Sequence, residues 1–228
     1  AQQEAILEAG IAAFAAQGYH EASMAAIARE AGLSVGVLYK YYENKDALFD
    51  ACLRHSLAAL EALLQEVTAR EKALLHYARE IIRGLQRFAR EHGDHIRMYH
   101  RLTTASGDQA EALARGIEGM TARLYTDFIT RGQQTGDLRG DMNPRCFAFF
   151  FDNLLMMLQF SYCCDYYRAR RSLYLGEAAG EDSVVEEELL KFLESAFTFE
   201  QSAISHRERE KEGETCSMSW PMTSAPRG

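Results

Sequence analysis

Helix breakers are scarce in this chain of 228 residues. Of its three prolines, Pro221 and Pro226 stand in the last eight positions, which leaves Pro144 alone before residue 220. Proline removes an amide donor and clashes with the preceding turn, so its rarity permits long helices almost throughout and points to an all-α fold. The five cysteines (Cys52, Cys146, Cys163, Cys164, Cys216) are odd in number and lack C-x-x-C spacing, which argues against a disulfide framework and against a zinc site. No run approaches the roughly 20 uninterrupted apolar residues that cross a bilayer, and no basic segment leading into an apolar stretch opens the sequence. The expectation is a cytoplasmic protein with reduced thiols and no membrane partner. Positive charge is also in short supply: 25 Lys and Arg against 33 Asp and Glu give a net charge of −8. By itself that balance weighs against a nucleic-acid partner, because phosphate neutralisation supplies most non-specific affinity.

What is present is apolar material, 47% of residues, enough for one large domain or for a small domain joined to a larger one. From residue 4 it falls at helical spacing. Ile6, Ala9, Ala13 and Phe14 share a face, and Gly18 follows as a stop. Ser23 stands at an N-cap position before Ile27, Ala28 and Ala31, and Gly32 ends that short helix in a left-handed turn. Ser34 then caps a third helix bearing Val35, Val37, Leu38 and Tyr41. Two short helices around a glycine turn make a helix-turn-helix candidate. Asn44 opens a longer connector helix with Leu48, Cys52, Leu57 and Leu64 along one side. Further amphipathic segments are expected near 72–91, 95–105 (after Asp94) and 108–134, the last ending before Gly136.

Asn143-Pro144 is a strong helix start, since the Asn side chain serves free amides and proline occupies the first position, where a missing N–H costs nothing. The helix it opens is expected to reach about Tyr167 and is apolar on nearly every side, so part of it must be covered by a partner subunit. Ser183-Val184-Val185-Glu186 reads as a capping box before a last helix with Leu189, Leu190, Leu193 and Phe197. The expected organisation is a three-helix helix-turn-helix domain over 1–46, a larger helical ligand-binding and dimerisation domain over 47–204, about nine helices in all, and a disordered tail over 205–228.

The stretch from Ala5 to Phe49 resembles the DNA-binding domain of TetR/AcrR-type regulators. It carries Ala13-Phe14, Gly18-Tyr19, Ile27-Ala28, then Ala31-Gly32-Leu33-Ser34-Val35-Gly36, Leu38-Tyr39-Lys40-Tyr41-Tyr42-Glu43-Asn44-Lys45 and Leu48-Phe49 in the order and spacing of that family. The resemblance implies a repressor that binds a near-palindromic double-stranded DNA operator as a homodimer. By it, contacts to DNA fall to Ser23, Met24, Ser34, Val35, Gly36, Tyr39, Lys40, Tyr41 and Lys45. The physical reading agrees in part: Val35, Gly36 and Val37 give the third helix a small N-terminal end that can approach base edges, while Leu38 belongs to the core. One departure stands out. Residues 1–50 hold three basic side chains (Arg29, Lys40, Lys45) against seven acids (Glu4, Glu8, Glu21, Glu30, Glu43, Asp46, Asp50), so affinity must come from amides, hydroxyls and dimeric avidity more than from a basic field. An acidic head leaves open the alternative of a helical interaction protein that lacks specific DNA binding.

By the same resemblance the central helices wall an effector cavity and the last two pair with a twin. Tyr99, His100, Tyr125, Phe128, Phe160 and Tyr162 are the candidates to hold a small apolar or aromatic effector, although each taken singly reads as ordinary core packing. Phe150, Leu154, Met157, Leu189, Leu193 and Phe197 are the candidate dimer contacts. His92, beside Gly93, falls at a helix end, which favours a solvent-exposed pair over a metal site among His92, His95 and His100. Cys163-Cys164 read as inert packing, and Arg168, Arg170 and Arg171 as a solvated helix terminus. No G-x-S-x-G, phosphate-cradling loop or H-E-x-x-H occurs, so neither catalysis nor a cofactor is expected.

Overall fold

The computed structural model describes residues 2–70, 74–103 and 108–198, and the tail expected from residue 205 lies outside them. Among the described residues there are ten α-helices, a 3-10 turn and no strand. They are α1 (Gln2–Glu21), α2 (Met24–Glu30), α3 (Val35–Tyr41), α4 (Lys45–Arg70), α5 (Leu74–Glu91), α6 (Gly93–Leu102), α7 (Asp108–Thr135), α8 (Pro144–Cys163), α9 (Asp165–Leu175) and α10 (Asp182–Phe197).

Local chemistry sets most of these boundaries. Regular helix in α1 breaks at Gly18 (φ 80°), a conformation that glycine adopts without strain. Ser23 Oγ accepts from the Ala26 amide at 3.2 Å and Ser34 Oγ from the Val37 amide at 3.3 Å, so both short helices carry the caps their sequences announce. Gly32 turns between them at φ +71°. Asn44 Oδ1 accepts from the Ala47 amide at 2.8 Å to open α4, and Asn143 Oδ1 accepts from Arg145 and Cys146 to open α8 behind Pro144.

Three boundaries depart from expectation. The long apolar helix stops at Cys163, because Cys164 leaves helical geometry (φ −101°, ψ 129°), and α9 follows as a separate element. His92, not Asp94, precedes α6; Asp94 sits in its first turn and accepts from Arg97 instead. The last helix begins at Asp182 without a side-chain cap, so Ser183 to Glu186 is not a capping box. Glu186 is buried, and its two carboxylate oxygens accept from Arg79 Nη1 and Arg83 Nε of α5, each at 2.8 Å. Long-range charge pairing has outcompeted a local cap worth about 1 kcal/mol. Asp182 is likewise held by Arg90, at 2.8 and 2.6 Å, and by the Tyr162 hydroxyl at 2.7 Å.

Arg171 corrects a further expectation. Its side chain is only 9% exposed, and its guanidinium lies 4.0 Å from the centre of the Tyr162 ring with Nη2 donating to that hydroxyl. It therefore locks α9 to α8 as a cation on a ring face and does not sit in solvent.

Two main cores result. In the head, Ile6, Ile11, Phe14, Ile27 and Leu38 pack with Leu48 and Cys52 of α4, and Met98 of α6 inserts among them. Gly10 permits the close approach of α1 to α4, since a Cβ there would fall 2.7 Å from Cys52 Sγ. The body core joins α4, α5, α7, α8 and α10 through Leu64, Tyr77, Ile81, Tyr125, Phe151, Leu155, Leu193 and Phe197. Leu193 and Phe197, expected at a dimer contact, are buried against their own chain, Phe197 with its ring tilted 4.6 Å from that of Phe147, and both also floor the groove between α8 and α10. The outward apolar residues of this wall are Phe150, Met157 and Phe192, exposed along a 530 Å³ groove between α8 and α10 that Leu154 also lines. Leu189 is partly buried against the body core. By length and composition α8 could cross a membrane, but it is packed against the body helices over part of its surface.

Candidate nucleic-acid interface and effector cavity

The capped pair α2 and α3 presents one outer face. Leu38 is fully buried and anchors α3, which leaves Ser34, Val35, Gly36, Tyr39, Lys40 and Tyr41 exposed on the opposite side. No atom lies within 4 Å of the place a Gly36 side chain would occupy, so the backbone there is open to close approach. The Tyr41 hydroxyl is engaged, donating to Gln2 Oε1 at 3.0 Å. Ser23 is exposed at the start of α2.

Two of the expected contacts lie elsewhere. Met24 is buried in the head core, because the second helix must turn an apolar side inward at its first position to cover α1 and α3, so its side chain cannot reach a base edge. Lys45 donates from Nζ to the carbonyls of His20 (3.1 Å) and Ala22 (3.2 Å) and stands over the Tyr19 ring. It ties the start of α4 to the turn after Gly18, and its charge is spent on the protein. The Lys45 tie is not legible in the sequence, since it depends on how α1 returns past the start of α4, whereas the helical spacing of Met24 with Ile27 and Ala28 already places it on the inward stripe.

The body holds a small chamber walled by α4, α5, α6, α7 and α8. Its volume is about 60 Å³, lined by Leu53, Leu57, Leu60, Leu85, Phe88, Ile96, Met120 and Met156 together with a polar set: Ser56, His95, Tyr99, Glu118, Thr121, Tyr125, Asp152 and Gln159. Of the aromatic candidates, Tyr99 and Tyr125 reach it. The other four are placed otherwise: Phe128 stacks on Tyr77 at 3.9 Å, His100 packs edge-on against Phe160 and Tyr167, Phe160 is buried among Phe88, Ile96 and Cys163, and Tyr162 is occupied by Asp182 and Arg171. A ring on an amphipathic helix can pack on either side of its element, and only the neighbours decide which.

The chamber's polar groups include a half-buried acidic pair, Glu118 and Asp152, that sequence reading missed. Burial, and secondarily the nearby Glu118 carboxylate, push the Asp152 carboxyl up to about 7, so it is partly protonated near neutral pH. The Tyr99 hydroxyl donates to Glu118, and burial followed by that bond raises the pKa of the phenol. Ser56 Oγ and both ring nitrogens of His95 are buried without a hydrogen-bond partner. His95 thus lies inside the protein, contrary to the exposed pair expected, because α6 turns this face toward α1, α4 and α5; burial lowers its pKa and favours the neutral ring. Cys163 and Cys164 are buried, with Cys163 Sγ donating to the Ala89 carbonyl at 3.2 Å and burial pushing that thiol up to about 11, which fits inert packing.

Glu118, Asp152 and Met156 also line a second space, a 600 Å³ cleft on the outer side of α7 and α8 bordered by Arg123, Arg145 and Phe149. The inner chamber and the outer cleft share that neck.

Comparison with known proteins bears on both parts. Residues 6–52 match the family model described as bacterial regulatory proteins, tetR family. The HTH-type transcriptional regulator BetI of Pseudomonas paraeruginosa is 30% identical over 154 residues, which cover 53% of this chain and 75% of that protein. The structure of the transcriptional regulator FadR from Bacillus subtilis in complex with stearoyl-CoA superposes with a TM-score of 0.66 at 15% identity, covering 86% of this chain and 99% of that one. That of AibR in complex with isovaleryl coenzyme A and operator DNA gives 0.63 at 19% identity, covering 84% and 97%. The likeness therefore extends well beyond the head, through the helices that enclose the chamber, and the chain belongs to the TetR family of bacterial transcriptional regulators.

Proposed function

We propose that this protein is a cytoplasmic repressor that sits as a homodimer on a near-palindromic operator and is controlled by a small molecule entering the chamber between α4 and α8. The observation that carries the reading is the double duty of α6. Its Ile96 and Tyr99 line the chamber, while its Met98 is buried in the head core and its Arg101 holds the end of α1. A chamber of about 60 Å³ is far below the roughly 300–1,000 Å³ that small-molecule sites occupy, so a ligand can enter only by moving these walls. Displacing α6 displaces the head. Two heads that must enter successive major grooves at one spacing then lose simultaneous engagement, and affinity falls through lost avidity.

The exposed face of α3, with Ser34, Val35, Gly36, Tyr39 and Lys40, is the proposed reading surface, supported by Ser23 and Tyr41. The groove bearing Phe150, Leu154, Met157 and Phe192 is the proposed seat of the second subunit. For the effector, the apolar inner chamber, the Asp152–Glu118 neck and the cleft with Arg123 and Arg145 suit a molecule with an apolar tail, a carbonyl in the neck and an anionic end outside. A protonated Asp152 can donate to that carbonyl, and the arginines can face phosphates. An acyl thioester of coenzyme A has this division, and the FadR and AibR structures hold such ligands. It is the first class to screen.

The test is fluorescence anisotropy of the full chain against duplexes tiled across its own upstream region, at fixed salt with unrelated competitor DNA. Saturable binding to one near-palindromic segment, weakened by an acyl-CoA, supports the reading. Uniformly weak binding erased by salt would instead favour the interaction protein that the acidic head allows.

A further inference from the structure

The underside of the head carries a cluster that DNA binding does not use and that meets the chamber only through His95. Glu4 and Glu8 stand one helical turn apart on α1 and so share a face. His55 of α4 points between them, with Nε2 at 3.5 Å from Glu4 Oε1 and 3.4 Å from Glu8 Oε1. The three donor atoms lie within 4.8 Å of one another. From the third side, His95 of α6 brings Nε2 to 3.7 Å from the other oxygen of Glu8. His95 is 5% exposed, and neither of its ring nitrogens has a hydrogen-bond partner. A buried imidazole left without a partner loses the solvation of both nitrogens, a cost that native structures rarely leave uncompensated.

We propose that Glu4, Glu8, His55 and His95 form a binding site for a divalent transition-metal ion of the zinc class, clamping the head helix α1 to α4 and α6. The spacings carry the assignment. Ligands about 2.0–2.2 Å from a tetrahedral ion lie roughly 3.3–3.6 Å apart, which is where the His55 nitrogen stands from both carboxylates, whereas 3.5–3.7 Å is long for a charge-assisted hydrogen bond. Two imidazoles and two carboxylates are the nitrogen and oxygen set that suits zinc, cobalt, nickel and manganese, and the negative pair offsets the ion's charge. Glu4, Glu8 and His55 already hold their donor atoms within 4.8 Å of one another, and His95 meets this set through Glu8, at 3.7 Å from its other oxygen. The close helix contact at Gly10, two residues from Glu8, is what places α1 near enough to α4. An ion here would pin the joint across which the head moves, and it would do so from His95, itself a wall of the chamber.

The experiment is titration of the chelator-treated full chain with Co(II), followed by visible absorption, with Zn(II) as competitor and thermal melting as a second readout. The expected result is the visible band of tetrahedral Co(II), saturating at one ion per chain, bleached by Zn(II) and free of the near-ultraviolet thiolate band that the exposed Cys146 would produce. Glu8→Gln and His55→Gln should each weaken Co(II) at least tenfold and abolish the rise in melting temperature that Zn(II) gives the parent, while the metal-free variants keep its helical circular dichroism. His95→Gln should weaken it as well. No saturable band in the parent, or a band that Glu8→Gln and His55→Gln leave unchanged, overturns the site and leaves the cluster as ion pairs alone. The readout needs no operator, so its failure is distinct from failure of the repressor reading.

Discussion

Arg101 of α6 donates from Nε to the main-chain oxygen of Ala15, on α1, at 2.6 Å, and its Nη2 reaches the next carbonyl, Ala16, at 2.7 Å. Carbonyls near the end of a helix lack intrahelical partners and carry partial negative charge, so a guanidinium there satisfies both needs. The tie joins a helix of the body to the helix that supports the reading head. Arg101→Ala is expected to cost about 1–2 kcal/mol of stability in thermal or urea melts and to weaken operator binding, because the head loses its fixed orientation. An unchanged melt with unchanged anisotropy would show that Met98 alone carries the coupling.

Lys40 and Lys45 should separate cleanly. Lys40→Ala removes an exposed cation from each of the two proposed reading faces of the dimer and should lower the slope of log affinity against log salt by about 2, while stability stays the same. Lys45→Ala removes the tie to the His20 and Ala22 carbonyls and should cost roughly 1 kcal/mol of stability, with the salt slope unaltered. If Lys45 instead changes the slope, it contacts phosphate after all. Tyr39→Ala should weaken operator binding about tenfold without affecting dimerisation as measured by sedimentation.

The pH dependence of stability tests the acidic neck. Asp152 has its pKa raised by burial to about 7, so the folded state binds its proton more tightly than the unfolded chain does. The contribution is therefore fully present below the ordinary carboxylate pKa and is lost as pH rises through about 7, with a slope of roughly 1.4 kcal/mol per pH unit between those two values. Asp152→Asn cannot ionise and escapes this loss. Relative to the parent it should gain a few kcal/mol at most between pH 5 and pH 8 in urea melts, and a constant difference across that range would place the Asp152 pKa below it.

Glu186 and Ser183 distinguish a long-range tie from a local cap. Glu186→Ala removes the acceptor that Arg79 and Arg83 share, and should cost about 1–3 kcal/mol, since both arginines can still be hydrated. Ser183→Ala should change stability by less than about 0.5 kcal/mol, whereas a working capping box would lose about 1 kcal/mol. Denaturant midpoints of the two variants decide the matter.

The second-subunit seat is tested by charge. Phe192→Asp places a carboxylate on the exposed groove between α8 and α10, away from the body core. The expected outcome is a folded monomer in sedimentation with operator affinity lowered at least a hundredfold, as expected when avidity is lost. A stable dimer would move the interface off this groove.

The amino-acid sequence by itself determined what depends on near neighbours along the chain. Ser23, Ser34, Asn44 and Asn143 cap helices three residues or fewer away, Gly18 and Gly32 break them, and the spacing of Ile6, Phe14, Ile27 and Leu38 marks the inward side of the head. These are local effects of backbone geometry, and the family motif lies among them. Tertiary structure decided the rest. Whether Lys45 faces DNA or protein, whether Phe197 meets a twin or Phe147, and whether Glu186 caps its own helix or pairs with α5 all turn on which element packs opposite. An apolar stripe states that a face must be covered but not by what, and a charged side chain serves whichever partner the packing brings within reach. For that reason the chamber, its acidic neck, the Arg101 tie and the Glu–His cluster appear only once the helices are assembled.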